Sequence, residues 1–385
     1  MQVPPLPRTP GGSGRFFEAY TQGLTTVDLE RLFLRDTPDA YRLFTRTADF
    51  QQLKALPWHR RSLAHIRLFF LAFTMKLTPA RRAIYGVSLV CVVIGLFELF
   101  QEVHLFLLPH PVFAPGTLWL LTGFLLTNLL VLVEVADRLT LKNDLEIARQ
   151  IQQSMLPRGA FQTAGVEAFG ITRPANTVGG DFYDILQLPD GRVLLALGDV
   201  AGKGSPAALL MALLLAMMRT LVDEGLEGAA LAERLNVQVA RHAPRSRFVT
   251  LFVSVLNPTT GELVYVNAGQ NPPLVRRTDG AYEHLRAGGI ALGMFDHATY
   301  VTGSTRLNPG DVLVMYSDGI TEAENDAAQP FDETGLQAIM DGREWGSAKE
   351  LAWATFAAVE HHTGSRRLLD DLTMLAVRRL PPLPV

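Results

Sequence analysis

Residues 192–221 read RVLLALGDVAGKGSPAALLMALLLAMMRTL. Arg192 to Val200 is aliphatic up to an acid, Asp199, near its end, the text of a buried strand. Glycines at 202 and 204 then break the run. Ser205 is placed to cap a helix, Pro206 suits its first turn, and AALLMALLLAMMRTL carries it on. Working outward, strands are expected at VEAFGITR (166–173), FVTLFVSVLN (248–257), ELVYVNAG (262–269), DVLVMYS (311–317) and DLTMLAVR (371–378). Helices fit GAALAERLNVQVARH (228–242) and AKELAWATFAAVEHH (348–362). Strands in consecutive pairs with helices between them predict an α+β class with antiparallel sheets over 158–380.

Composition narrows the function classes. The chain has 385 residues, 48% hydrophobic and 19% charged, which excludes a largely disordered protein. A single cysteine, Cys91, excludes a disulfide framework and a cysteine-rich zinc site. Residues 1–157 carry 16 basic and 12 acidic side chains, whereas 158–385 carry 19 and 26. An acidic C-terminal part without a Lys/Arg cluster argues against nucleic acid as a partner.

Four places combine an aspartate with glycine or a second acid beside an apolar strand: VGGDFYD (178–184), GDVAGKG (198–204), SDGITE (317–322) and DDLT (370–373). Singly, each reads as a turn. Together they bring carboxylates to strand ends, where such groups must be paired, metal-bound or exposed. Converging carboxylates repel unless cations separate them. Oxygen ligands without His or Cys suit Mg²⁺ or Mn²⁺, and glycines beside them let a phosphate approach the backbone. The chemistry implied is metal-assisted attack of water on a phosphoryl group. GDVAGKG is not a P-loop, because only three residues separate its outer glycines and Gly204, not Ser or Thr, follows Lys203.

The order VGGDFYD, GDVAGKG, SDGITEA, DDLTML resembles the PPM-type metal-dependent protein phosphatases, in particular their bacterial SpoIIE/RsbU-like branch. The resemblance runs from about Leu145 to Arg378 and includes the lead-in IARQIQQSMLP. It implies an αββα sandwich holding two divalent cations, Mn²⁺ or Mg²⁺. Carried over by motif, Asp181, Asp199, Asp318 and Asp370 become metal ligands, with Asp199 bridging and the Val200 carbonyl as a further ligand. Asp181 and Asp199 stand as the catalytic pair. Asp184, Gly202, Gly319, Glu322 and Asp371 would lie around that set, and Lys203 and Arg173 are candidates to bind substrate. The implied reaction is direct in-line attack on phosphoserine or phosphothreonine by a metal-bridging hydroxide. Distant relatives place a proton-donating His where this chain has Ala201, which leaves the leaving-group acid open between a metal-bound water and Lys203. The substrate implied is a phosphorylated anti-sigma-factor antagonist, a STAS-domain protein. Two rivals stand beside this reading: a diguanylate cyclase, suggested by VGGDFY, and a phosphatase-like docking module without catalysis.

Upstream, AIYGVSLVCVVIGLFELF (83–100) and GTLWLLTGFLLTNLLVLVEVA (116–136) are each long enough to cross a bilayer. Arg60, Arg61, Arg67, Lys76, Arg81 and Arg82 precede the first span, and Arg138, Lys142 and Arg149 follow the second. Residues 101–115 hold no Lys or Arg, so the positive-inside rule puts both termini and the C-terminal domain on the cytoplasmic side of the cell membrane. Residues 1–14 read as a disordered lead-in and 15–82 as a cytoplasmic helical region. Residues 137–157 read as a linker helix. In it Leu141, Leu145, Ala148, Gln152 and Met155 step by 4, 3, 4 and 3 up to Pro157, a pattern that suits a homodimeric coiled coil or a plain connecting helix.

Overall fold

The computed structural model describes residues 77–103, 115–244, 247–364 and 368–381, together with residues 70, 74, 75 and 366. The lead-in 1–14, nearly all of the 15–82 region and the connection 104–114 lie outside the described residues. The chain divides into two compact units, Met1–Arg138 and Leu139–Val385.

In the first unit, α1 (Pro79–Val103) faces the N-terminal part of α2 (Pro115–Met155). The Ser88 and Thr127 hydroxyls lie 2.6 Å apart. A Cβ at Gly123 would lie 2.7 Å from Val92 Cγ2, and one at Gly116 3.0 Å from the Gly95 carbonyl. Rising numbers on one helix thus meet falling numbers on the other, an antiparallel hairpin whose glycines let the backbones close up. Val93, Phe97, Leu121 and Phe124 point outward. Both helices are long and apolar enough to cross a membrane.

The second unit has two six-stranded layers. Its strands are β1 (Phe161–Thr163), β2 (Val166–Arg173), β3 (Phe182–Gln187), β4 (Val193–Val200), β5 (Val249–Leu256), β6 (Glu262–Ala268), β7 (Leu274–Arg276), β8 (Tyr282–His284), β9 (Gly288–Gly289), β10 (Gly303–Arg306), β11 (Val312–Tyr316) and β12 (Leu372–Arg379). One sheet runs β1-β2-β12-β11-β7-β8; the other runs β10-β6-β5-β4-β3, with β9 on β6. All pairings are antiparallel except β6 with β9.

Alternation decides the layering. On β11, Leu313 and Met315 enter the core between the sheets, while Val312, Val314 and Tyr316 face the other way. Those outer residues pack with Leu336 and Met340 of α6 (Asp332–Asp341) and with Leu351, Phe356 and Val359 of α7 (Ala348–Thr363). A single-turn α5 (Asp318–Thr321) precedes them. On the far side, α3 (Ser205–Asp223) and α4 (Gly228–His242) cover the second sheet. The result is the helix–sheet–sheet–helix sandwich expected from the sequence, with every residue of Val193–Leu197 fully buried.

Two details differ from the sequence reading. Gly204, not Ser205, caps α3, with no side-chain bond at the cap. That helix is also long and apolar enough to span a membrane. Its stripe Ala207, Leu210, Met211, Leu214, Leu215 and Met218 is instead buried in the domain core. On α2, Gln152 is buried and Met155 packs on the core, so the end of the heptad stripe is covered by the chain's own domain.

Candidate metal centre

Sheet register brings the predicted acids together. Phe182 pairs with Gly198 across β3 and β4, so Asp181, one residue before β3, sits beside Asp199, one residue before the end of β4. In the other sheet, Tyr316 pairs with Met374. The chain then leaves β11 at Ser317 and Asp318 and enters β12 from Asp370 and Asp371. Close approach is built in. A Cβ at Gly319 would lie 2.1 Å from the Asp371 carbonyl, and one at Gly180 would lie 2.9 Å from the Val200 carbonyl and 3.0 Å from Asp199 Oδ1.

The charges feel one another. Burial, then the charges of Asp199 and Asp371, hold the Asp181 carboxyl well above the usual range, against hydrogen bonds from Thr373 and Ser317. Burial pushes Asp199 up to about 6; a hydrogen bond with Asp181 opposes the rise, and Asp318, Asp370 and Asp371 reinforce it. Asp318 is raised by burial, Asp370 and Glu322. Carboxylates so placed hold a proton or a cation between them. Asp181 Oδ2 is buried and finds no hydrogen-bond partner among the described residues, an acceptor that a cation would satisfy.

Among the described residues, no three Asp, Glu, His or Cys side chains close a cage around one point. Lys203 Nζ stands 2.8 Å from Asp370 Oδ2. Carboxylate oxygens without His or Cys are the donor type that hard divalent cations take, and the buried Asp181 Oδ2 is one such acceptor left over among the described residues.

The surrounding residues sort by contact. Asp371 accepts from Ala175 N–H and Gly180 N–H, both at 2.7 Å, and so fixes the loop ahead of Asp181. The Ser317 hydroxyl donates to the Asp371 carbonyl at 3.1 Å and accepts from Thr373 N–H at 3.0 Å, which joins the SDG and DDL turns. Gly202 has φ +102°, and a Cβ there would collide with the Arg247 guanidinium, which donates to the Ala201 carbonyl at 2.7 Å. Glu322 is exposed beside Asp318.

Two expected neighbours belong elsewhere. Asp184 is fully buried and accepts from Arg219 of α3, Nε at 2.8 Å and Nη2 at 3.0 Å. It sits three residues beyond Asp181, and an extended chain turns such a pair to opposite faces. Arg173 is taken by Glu360 and lies over the Phe356 ring. Sequence reasoning missed Gln152, Ser317, Arg219, Arg247 and Thr373. They come from separate motifs and elements, and only pairing across the sheets makes them neighbours.

This sandwich, with acids from four motifs at one edge, has the fold of PP2C-type phosphatase domains. Residues 189–380, just under half of the chain, match the model of the stage II sporulation protein E (SpoIIE) family. IcfG of Synechocystis sp. is 28% identical over 277 residues, covering 65% of this chain and 43% of IcfG. Phosphoserine phosphatase RsbU of Bacillus subtilis is 28% identical over 240 residues, covering 62% of this chain and 71% of RsbU. The chain thus spans less than half of the first relative. Among solved structures, the RsbU and RsbW domains of a Mycobacterium tuberculosis protein superpose with a TM-score of 0.50 at 28% identity, over 57% of this chain and 62% of that one. The SiaA-PP2C domain of Pseudomonas aeruginosa gives 0.54 at 21% identity, over 63% and 98%, a likeness of fold. The antiparallel sandwich and this kinship leave the cyclase reading of VGGDFY without support.

Proposed function

We propose that the protein hydrolyses phosphoserine or phosphothreonine on a partner protein at the edge of the sandwich. Asp181, Asp199, Asp318, Asp370 and the Val200 carbonyl would hold two divalent cations there, Mn²⁺ or Mg²⁺. The observation that carries this reading is the electrostatic coupling of acids from four separate motifs, Asp181 with Asp199 and Asp199 with Asp318 and Asp370. When bound, such cations supply a hydroxide nucleophile from water and neutralise charge developing on the phosphoryl oxygens. The protein's own part is placement. Asp181 and Asp199 would exchange their shared proton for the cations, and Asp371 fixes the loop ahead of Asp181. Lys203, half-exposed beside Asp370, is positioned to meet a phosphate oxygen at the rim. With Ala201 next to Val200, the same ammonium is the chain's own candidate to give a proton to the leaving hydroxyl.

The substrate proposed is a phosphorylated STAS-domain protein, in keeping with the likeness to RsbU. The α1–α2 hairpin would anchor the chain in the cell membrane with both ends cytoplasmic. A homodimer would form through α2, where Leu141, Ile147 and Ile151 remain exposed. One helix joins span and domain, so its phase would set the activity of the site. Inserting one residue at Asn143 turns all that follows by ~100°; unchanged phosphate release and signal response would rule that coupling out.

The deciding experiment is phosphate release by the full chain in detergent micelles with Mn²⁺, beside Asp199→Asn and a GTP-to-cyclic-dinucleotide assay. Metal-dependent release that the variant loses is expected. A wild-type chain that binds Mn²⁺ yet releases nothing from phosphoproteins would be a docking module instead.

A further inference from the structure

The last turns of α2 reach into the loop that carries the first acid. Gln152 is buried, and its amide pairs with both backbone polar groups of one residue: Nε2 donates to the Gly179 carbonyl at 2.7 Å, and Oε1 accepts from Gly179 N–H at 3.2 Å. The next N–H, on Gly180, donates to Asp371 Oδ2 at 2.7 Å. Two consecutive peptide units are therefore held from two sides immediately before Asp181. The loop has no slack, since a Cβ at Gly179 would lie 2.3 Å from Asp371 Oδ2.

The helix end is itself seated. Arg219 donates to the Met155 carbonyl at 2.7 Å while holding Asp184, the Tyr183 hydroxyl donates to the Pro157 carbonyl at 3.0 Å, and Leu156 is buried in the core. An amide side chain has one donor end and one acceptor end, the two groups needed to pair with a residue's own C=O and N–H. Glu lacks the donor and Met lacks both. In a coiled-coil seam Gln152 would be the polar exception; here it is the contact between the helix and the cation site.

We infer that Gln152 is a positioning residue for Asp181: it fixes the Gly179–Gly180 loop and so ties the site's cation affinity to the seating of the end of α2. This rests on the reading of the four acids as the cation site. Partners that orient metal ligands from behind typically change metal affinity by about 10- to 100-fold when removed.

The test uses the full chain in detergent micelles, with Mn²⁺ as the probe. Mn²⁺ binding is followed by calorimetry and electron paramagnetic resonance, and amide hydrogen exchange is read over residues 178–182. Gln152→Met keeps length and burial but loses both hydrogen bonds. It should weaken Mn²⁺ binding by about 10- to 100-fold and speed exchange at Gly179 and Gly180. The neighbouring exposed substitution Gln153→Met should change neither. Should the Met variant fail to fold, Gln152→Asn keeps the amide but withdraws it by one methylene, and must move both readouts the same way. A folded Gln152 variant with wild-type Mn²⁺ affinity, or with unchanged exchange in the loop, overturns the inference. Failure of the phosphatase reading shows separately, as a wild-type chain that binds Mn²⁺ without releasing phosphate. A wild-type chain that binds no Mn²⁺ overturns both.

Discussion

Asp199→Asn should stabilise the metal-free protein while abolishing its response to metal. In the folded chain the Asp199 carboxyl is raised from 3.8 to about 6, first by burial and then by Asp318, Asp370 and Asp371. A raised value means that the folded state holds the proton more tightly than the unfolded chain. The stability this contributes is complete below pH 3.8 and disappears as pH climbs through about 6. At ~1.4 kcal/mol for each pH unit, the ionised group costs the metal-free fold up to ~3 kcal/mol above that range. Asparagine has the same shape and no charge to bury. With ~2–4 °C per kcal/mol for a domain of this size, the variant in EDTA should melt up to ~6–12 °C above wild type at neutral pH. The gap should close in acid, where Asp199 is protonated. Added Mn²⁺ should raise the wild-type transition steeply and the variant's hardly at all, because a ligand stabilises only the state that binds it. Scanning calorimetry of the full chain with and without Mn²⁺ reads both effects. If the variant melts no higher than wild type in EDTA, or rises with Mn²⁺ as steeply, Asp199 is not part of a cation-binding cluster.

Three further outcomes test the surrounding architecture. Because protons compete with the cation at Asp181 and Asp199, Mn²⁺ affinity should drop as pH falls through about 6; a flat calorimetric profile across that range would contradict the shared-proton picture. Arg219→Ala leaves Asp184 charged and fully buried without its partner, a loss of ~3–5 kcal/mol, whereas joining Asp184→Leu to Arg219→Met should return most of it in urea unfolding. Gly319→Ala sets a methyl 2.1 Å from the Asp371 carbonyl. It should cost ~1–3 kcal/mol through overpacking and weaken Mn²⁺ binding, and a variant with normal affinity would show that the two turns need not touch.

Local text was enough for several of the longer elements. β2 and α4 coincide with VEAFGITR and GAALAERLNVQVARH as read, because a continuous apolar run or a helical stripe bounded by Gly, Pro or polar residues has few other ways to fold. The short strands β1 and β7 to β10 went unread. Two to four residues carry too little periodicity, and what defines them is a partner strand. β3 went unread for a different cause. FYDILQ begins at the acid–glycine motif and places a buried Asp184 inside a strand, which is tolerable only because Arg219 waits on another element.

The site divides the same way. By itself the sequence singled out four acid-bearing motifs as candidates, through their order along the chain and the family they resemble, although each alone reads as a turn. It also determined that two apolar stretches precede the domain, because hydropathy and length are properties of the chain alone. Only the tertiary structure decided what those acids face. It sent Asp184 and Arg173 to ion pairs away from the cluster, through strand alternation and through Glu360 on a helix far along the chain. It set Asp371 behind the VGGD loop and turned Gln152 from a seam position into a contact with Gly179. These are hydrogen bonds between residues tens to hundreds of positions apart, and a linear pattern carries no term for them until two sheets have packed.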